Sequence, residues 1–331
     1  MKKYLLIILF SLGIPVIILF GIFVWTDPFR ILKPFNLKDV DVTNREYLST
    51  ELFLYNKNSI HYNSFIFGSS RCCGLNSYRW KQYLDEEAQP FLFQGWSETL
   101  TGIEQKFHYL IDDNIPIENA LILLDIPSSF AEKQLPKESL SMKHYLFTGV
   151  PRFEYNAIQF YNFCQKPSLW IKSIKKTLSN QHIPCNSDTI TNDWDAQNRY
   201  NYFGIPQKDS LKQCSDMTRI TFFAELKTKS LIDVQISEPL INHDFRIQLE
   251  NIKSMLDKQN TDYHIIITPA IVYTNPIVNK EDLQVLQQIF GADRVHDYSQ
   301  ISELTTNIHN YTDPNHFGQY VGYYILKDIY E

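Results

Sequence analysis

Hydrophobic and polar positions along the chain fall into three regimes. Residues 4–25 make one apolar run without a single charge, about the length an α-helix needs to cross a hydrocarbon core roughly 30 Å thick. Beyond residue 62 the pattern changes to short, continuous apolar runs of four or five residues, at 64–67, 90–93 and 120–124. Each stops at a turn or polar residue: Gly68, Gln94 with Gly95, and Asp125. Runs of that length bounded by turn signals predict buried strands. Between them a helix is expected from about Asn76 and another over residues 99–113. From about 128 to 240 the rhythm is lost, and aromatics, prolines and polar residues mix. It returns at 244–259, where Phe245, Leu249, Ile252 and Leu256 recur at helical spacing. A strand at 263–268, a helix at 280–290, a short strand near 294–297 and a last helix at about 316–330 complete the series.

Short apolar strands alternating with helices predict an α/β fold, a five-stranded parallel, flavodoxin-like sheet covered on both faces in a three-layer α/β/α sandwich. The domain reading is an N-terminal transmembrane anchor over residues 1–26, a juxtamembrane connector over 27–62, and an α/β domain over 63–331 with a large insertion at about 128–240. Gly13, Pro15 and Gly21 interrupt the apolar run, but helices embedded in lipid tolerate them. Lys2 and Lys3 ahead of the run orient it with the N-terminus cytoplasmic and the rest extracytoplasmic, with Trp25 and Phe29 at the outer interface. A cleaved signal peptide is the competing reading, disfavoured because the run is too long and no small-x-small site follows. Within the insertion, a helix over 167–178 sets Lys172, Lys175 and Lys176 beside Trp170, a basic amphipathic face suited to headgroups or an anionic polymer, though more often merely solvated.

Composition narrows the function. A net charge of −6 and a pI near 5.9 supply no concentrated basic field of the kind nucleic acid requires. The five cysteines include no CxxC pair and no His/Cys cluster at metal-ligand spacing, so neither a structural metal nor a cofactor is expected. In an oxidising compartment a disulfide among Cys164, Cys185 and Cys214 and buried free thiols are about equally expected. The triplet Asn310-Tyr311-Thr312 is a glycosylation sequon by pattern alone.

In an open parallel sheet functional groups gather at the carboxyl ends of the strands. There, Gly68-Ser69-Ser70-Arg71 places Ser70 on a sharp turn, with its own amide directed toward developing negative charge. Near the C-terminus, Asp313-Pro314-Asn315-His316 spaces a carboxylate to reach the imidazole of a histidine that opens a helix, which fixes its tautomer and leaves the other nitrogen to take a serine proton. Each motif alone has a plainer reading, a common turn and an N-cap. Together, in this order, they describe a serine relay.

The segment Phe65-Ile66-Phe67-Gly68-Ser69-Ser70-Arg71 resembles the first sequence block of the SGNH (GDSL-type) hydrolases and acyltransferases, and Asp313-Pro314-Asn315-His316-Phe317 resembles their last. The Gly-Ser-Ser-Arg form is most similar to the membrane-anchored members that modify cell-envelope polymers, such as those of alginate O-acetylation and lipoteichoic acid D-alanylation. The resemblance implies Ser70 as nucleophile, His316 as general base and Asp313 as its orienter. It also implies that Gly95 contributes an oxyanion-hole amide. Asp125 stands where many members carry an asparagine, and a carboxylate there repels an oxyanion. Asn76 or Ser128 is then the candidate replacement donor, and Arg71 lies beside the nucleophile on the substrate side.

The expected function is that of a membrane-anchored acyltransferase or esterase acting on acyl, chiefly O-acetyl, groups of an envelope polysaccharide, with a membrane-bound protein as acyl donor. The competing expectation is a non-catalytic scaffold of the same fold.

Overall fold

The protein is described by a computed structural model that covers residues 2–34, 45–95, 97–131, 143–179, 234–311 and 313–331. Most of the expected insertion, including Cys185 and Cys214, lies outside the described residues, as does the Lys176 side chain.

Five strands form one all-parallel sheet: β1 (Ser64–Gly68), β2 (Pro90–Gln94), β3 (Asn119–Leu124), β4 (Asp262–Ile267) and β5 (Val295–Asp297), in the order β2-β1-β3-β4-β5. Ser64 pairs with Pro90 on one side and Asn119 on the other, and Asn119 pairs with Asp262, so the four longer strands start level. Their carboxyl ends therefore also finish level, which brings Gly68, Gln94, Leu124 and Ile267 to one edge. The strands are mainly apolar because both faces are covered, with polar residues such as Asn119, Asp262 and His264 where β3 and β4 begin. Phe65, Phe67, Phe93, Ile122, Leu124 and Ile265 point into one core. It is closed by α2 (Arg45–Ile60), α4 (Leu100–Asp112), α8 (His243–Gln259) and α9 (Lys280–Phe290). Ile66, Leu92, Leu121, Leu123 and Ile266 point the other way, under Trp80 of α3 (Ser77–Trp80) and Val321, Ile325 and Leu326 of α11 (Gln319–Tyr330), which follows the short α10 (Glu303–Thr306). Burying each such side chain contributes about 1.5–3 kcal/mol.

Caps set the helix boundaries. Thr99 accepts from the Gly102 N–H at the start of α4, Asn242 from Phe245 at α8, and Asn279 from Asp282 at α9. The final helix begins later than the pattern predicts. Gly318 is the N-cap of α11, so His316 does not open the helix but lies on the extended segment before it, where Tyr311 and Phe317 pair across a tight loop.

A third cluster lies apart from the sheet. It joins α1 (Lys2–Thr26) to α5 (Tyr145–Thr148), α6 (Arg152–Cys164) and α7 (Pro167–Ser179) through Phe23, Phe29, Ile31, Tyr47, Tyr155 and Phe163. Among the described residues no helix is long and apolar enough to cross a membrane, so the expected transmembrane helix has no support from the structure. Along α1 the side chains of residues 2–10 and 12 lie outside the described set. Cys72, Cys73 and Cys164 form no disulfide among the described residues; the other two cysteines of the expected set, Cys185 and Cys214, lie outside them. Asn310 is buried and donates to the carbonyls of Glu303 and Leu304, which leaves its amide unsuited to carry a glycan.

Candidate active site

Gly68 ends β1 with φ +151°, and a Cβ there would lie 2.9 Å from the Leu123 Cβ. Only glycine combines that backbone with so close an approach to β3. The chain then turns into a 3-10 helix, Ser70–Gly74, whose N-cap Ser69 accepts from the Arg71 N–H. The Ser70 N–H, first in that turn, has no hydrogen-bond partner among the described residues.

Opposite stands the segment before α11. Its distance from the Ser70 turn is set by a close contact: a Cβ on Gly322 would lie 1.9 Å from the Gly74 carbonyl oxygen. Across this junction the Ser70 Oγ lies 2.8 Å from His316 Nε2, although 246 residues separate them, and His316 Nδ1 lies 2.7 Å from Asp313 Oδ2. Asp313 Oδ1 accepts the N–H groups of Asn315 and His316 at 2.8 and 3.1 Å. Partial burial disfavours the Asp313 charge, but the hydrogen bond and charge of His316 and these two amides outweigh it and hold the carboxyl below its ordinary range. An ionised carboxylate only accepts, so the imidazole proton sits on Nδ1. Nε2 then presents a lone pair, to which the Ser70 hydroxyl donates. The imidazole is mostly covered, whereas the Asp313 side chain is 48% exposed.

The other sequence-derived candidates occupy different positions. Gly95 does not offer a free amide, because its N–H donates to the Gly68 carbonyl at 2.9 Å and continues the β1–β2 ladder by one residue. Asn76 uses its side-chain oxygen to cap α3, accepting from Arg79 N–H. It lines a cavity of about 380 Å³ with Arg79, Gln319 and Tyr323. Ser128 is exposed on a 3-10 turn after β3. Asp125 is buried and structural. It accepts from the Ser69 hydroxyl on one oxygen and from Thr268 Oγ1 at 2.7 Å on the other.

Arg71, also buried, spends its guanidinium on neighbouring protein groups. It donates to Thr268 Oγ1 at 3.1 Å and to the side-chain oxygens of Asn275 and Asn315 at 3.4 Å, and its Nε lies 3.8 Å from Asp125. One guanidinium thus ties the ends of β1, β3 and β4 to the loop bearing His316. Thr268 follows β4 directly, so the carboxyl-end rule marks its position; Asn275 lies in an irregular loop with no comparable signal.

Behind the loop after β2, the fully buried Glu98 pairs with Lys106 of α4 and, at 2.8 Å, with Lys143. Burial alone would raise the Glu98 pKa, but the two ammonium groups outweigh it and pull it to about 2. No group of three or more His, Cys, Asp or Glu side chains suited to a metal ion occurs among the described residues. No family model matches the chain, and no curated protein matches it.

Proposed function

We propose that the protein is a membrane-anchored, extracytoplasmic serine acyltransferase or esterase of SGNH type, in which Ser70, His316 and Asp313 form the proton relay. The observation that carries this reading is the pair of contacts at 2.8 and 2.7 Å that joins the three residues in the order nucleophile, base and orienter. In the first half-reaction Ser70 Oγ attacks an acyl carbonyl carbon while His316 Nε2 takes the hydroxyl proton. Asp313 stabilises the resulting imidazolium. Collapse of the tetrahedral intermediate breaks the bond to the leaving oxygen, which receives the proton from Nε2, and leaves the acyl group on Ser70. An acceptor hydroxyl then gives its proton to Nε2 and attacks the ester, restoring Ser70. A sugar hydroxyl makes the reaction a transfer, and water makes it hydrolysis. The Ser70 N–H, at the head of its turn, is the oxyanion donor supplied by the described residues.

The anchor reading rests on the uncharged run at residues 4–25 and on the bare apolar side chains of Ile14, Ile17, Ile18, Phe20 and Trp25 along α1. A bilayer covers such a surface at no polar cost. Tethering keeps the domain beside a membrane-bound acyl donor and raises its local concentration. The envelope polysaccharide acceptor follows from the resemblance of the two sequence blocks.

A scaffold of the same fold is favoured by a separate observation: the Gly95 amide, the second oxyanion donor that the sequence resemblance implies, is committed to the Gly68 carbonyl. Turnover of 4-nitrophenyl acetate by the full chain in detergent separates the two. The enzyme reading expects hydrolysis that falls about 10²–10⁴-fold in Ser70→Ala and in His316→Ala. Equal rates in all three proteins would favour the scaffold.

A further inference from the structure

The helices α6 and α7 present large apolar side chains to solvent. Phe153 is 76% exposed, Tyr161 62%, Ile171 57% and Leu178 70%. Several large apolar side chains exposed on two helices packed against each other make this face a candidate interaction surface. Its position in the fold indicates the partner. The two helices pack on the last turns of α1, where Phe160 meets Phe20 and Phe23 with ring centroids 5.3 and 5.4 Å apart and Phe163 meets Phe23 at 5.4 Å. Phe20 lies six residues before the end of α1, about 9 Å along the helix axis. An amphipathic helix lying in a membrane interface settles about 5–10 Å into it. With α1 read as the anchor and its end at Thr26 set at the interface, the contacts of Phe20 and Phe23 with Phe160 and Phe163 place α6 and α7 at that depth.

Charge agrees with this placement. The chain as a whole is acidic, at −6, yet residues 26–34 and 144–179 hold seven Lys and Arg against two acids, Asp27 and Glu154. Asp27 is buried and accepts the N–H groups of Ile31, Leu32 and Lys33, which leaves Glu154 as the one exposed acid there. Lys172 and Lys175 are exposed on α7 between Ile171 and Leu178. Apolar side chains interleaved with lysines suit the boundary of acyl chains and anionic headgroups.

We infer that α6 and α7 form an interfacial platform that lies on an anionic bilayer beside the emergence of α1, so that the domain rests on the membrane in a fixed orientation rather than hanging from a single tether. The inference rests on the reading of α1 as an anchor. The full chain, reconstituted into vesicles of phosphatidylcholine with phosphatidylglycerol, is spin-labelled at one introduced cysteine at a time: Ile17→Cys, Phe153→Cys, Leu178→Cys or Glu250→Cys, with the parent chain recorded as background. Collision with oxygen is compared with collision with a water-soluble nickel chelate.

The platform predicts a severalfold higher oxygen-to-nickel ratio at positions 153 and 178 than at exposed Glu250, an excess that shrinks when Lys172 and Lys175 are both changed to Glu. Ratios at 153 and 178 equal to that at 250, with position 17 still in lipid, overturn the platform and leave the anchor standing. An aqueous signal at position 17 overturns the anchor and the platform with it. Protection of 153 and 178 from both reagents means that a protein covers the patch, which also overturns the platform.

Discussion

Arg71 follows the candidate nucleophile directly, yet its guanidinium turns inward to Thr268, Asn275 and Asn315 and sits 3.8 Å from Asp125. Removing one partner from a buried ion pair leaves the other charge uncompensated, at a cost of about 3–5 kcal/mol. Arg71→Met therefore lowers the free energy of unfolding in urea by about that amount, whereas replacing Arg71 and Asp125 together by apolar residues costs less than the sum of the single changes. A loss below about 1 kcal/mol for Arg71→Met would show that the guanidinium is not held as described. Asp313 acts differently because it is half-exposed and touches the imidazole. Asp313→Asn keeps the shape but replaces a charged acceptor with an amide that stabilises the imidazolium poorly. The expected result is a fall of about 10²-fold or more in the rate of ester turnover with little change in thermal stability. Both motifs were legible in the sequence because they are short and local. Gly95 was misread because whether a glycine amide is free depends on a register contact with Gly68, and spacing carries no information about that.

At the scale of elements, the loop after β2 is held by a buried triad. Glu98 is depressed to about 2 by Lys106 and Lys143, so its folded value lies below its unfolded one near 4.5. The linked stability is then fully present above about pH 4.5 and is lost as pH falls toward 2. Glu98→Gln removes that acid-dependent component and, by taking the carboxylate charge from between two ammonium groups, destabilises the fold by about 3–5 kcal/mol at neutral pH. Urea titrations at several pH values check both signs. The contact between Gly322 and Gly74 sets the distance between α11 and the Ser70 turn. Gly322→Ala forces the two elements apart and should cost about 1–3 kcal/mol in thermal or urea unfolding; an unchanged stability would show that the junction yields freely. The strands and the long helices were legible because burial on both faces leaves continuous apolar runs. The start of the last helix was not, because Gly318 and the Tyr311 to Phe317 bridge override the helical period at His316 and Phe317.

For the molecule as a whole, level strand ends bring Ser70, Asp125 and Thr268 to one edge of the sheet, and α11 returns the C-terminal segment over them. Beside these, β4 and β5 carry a pair of histidines, His264 Nδ1 against His296 Nε2 at 2.8 Å. Burial first, and the neighbouring His296 second, pull His264 down to about 4, and burial likewise lowers His296. The unfolded chain therefore takes up protons before the folded one does, and stability declines as pH falls from about 6.5 toward 4. His264→Gln flattens that part of the pH profile of the melting temperature; an unaltered profile would assign the decline to other groups. The five parallel strands with their flanking helices were legible from strand rhythm, and the meeting of the first and last blocks from motif order. The helices α6 and α7 and their packing on α1 were not, because an aromatic-rich segment without strand rhythm does not reveal its neighbour. The central claim, that Ser70 is an activated nucleophile, is tested most directly by intact-protein and peptide mass spectrometry after exposure to a fluorophosphonate. The account predicts one adduct, mapped to Ser70, absent in Ser70→Ala and strongly reduced in His316→Ala. A Ser70 that stays unmodified under conditions that label a control serine esterase would contradict it.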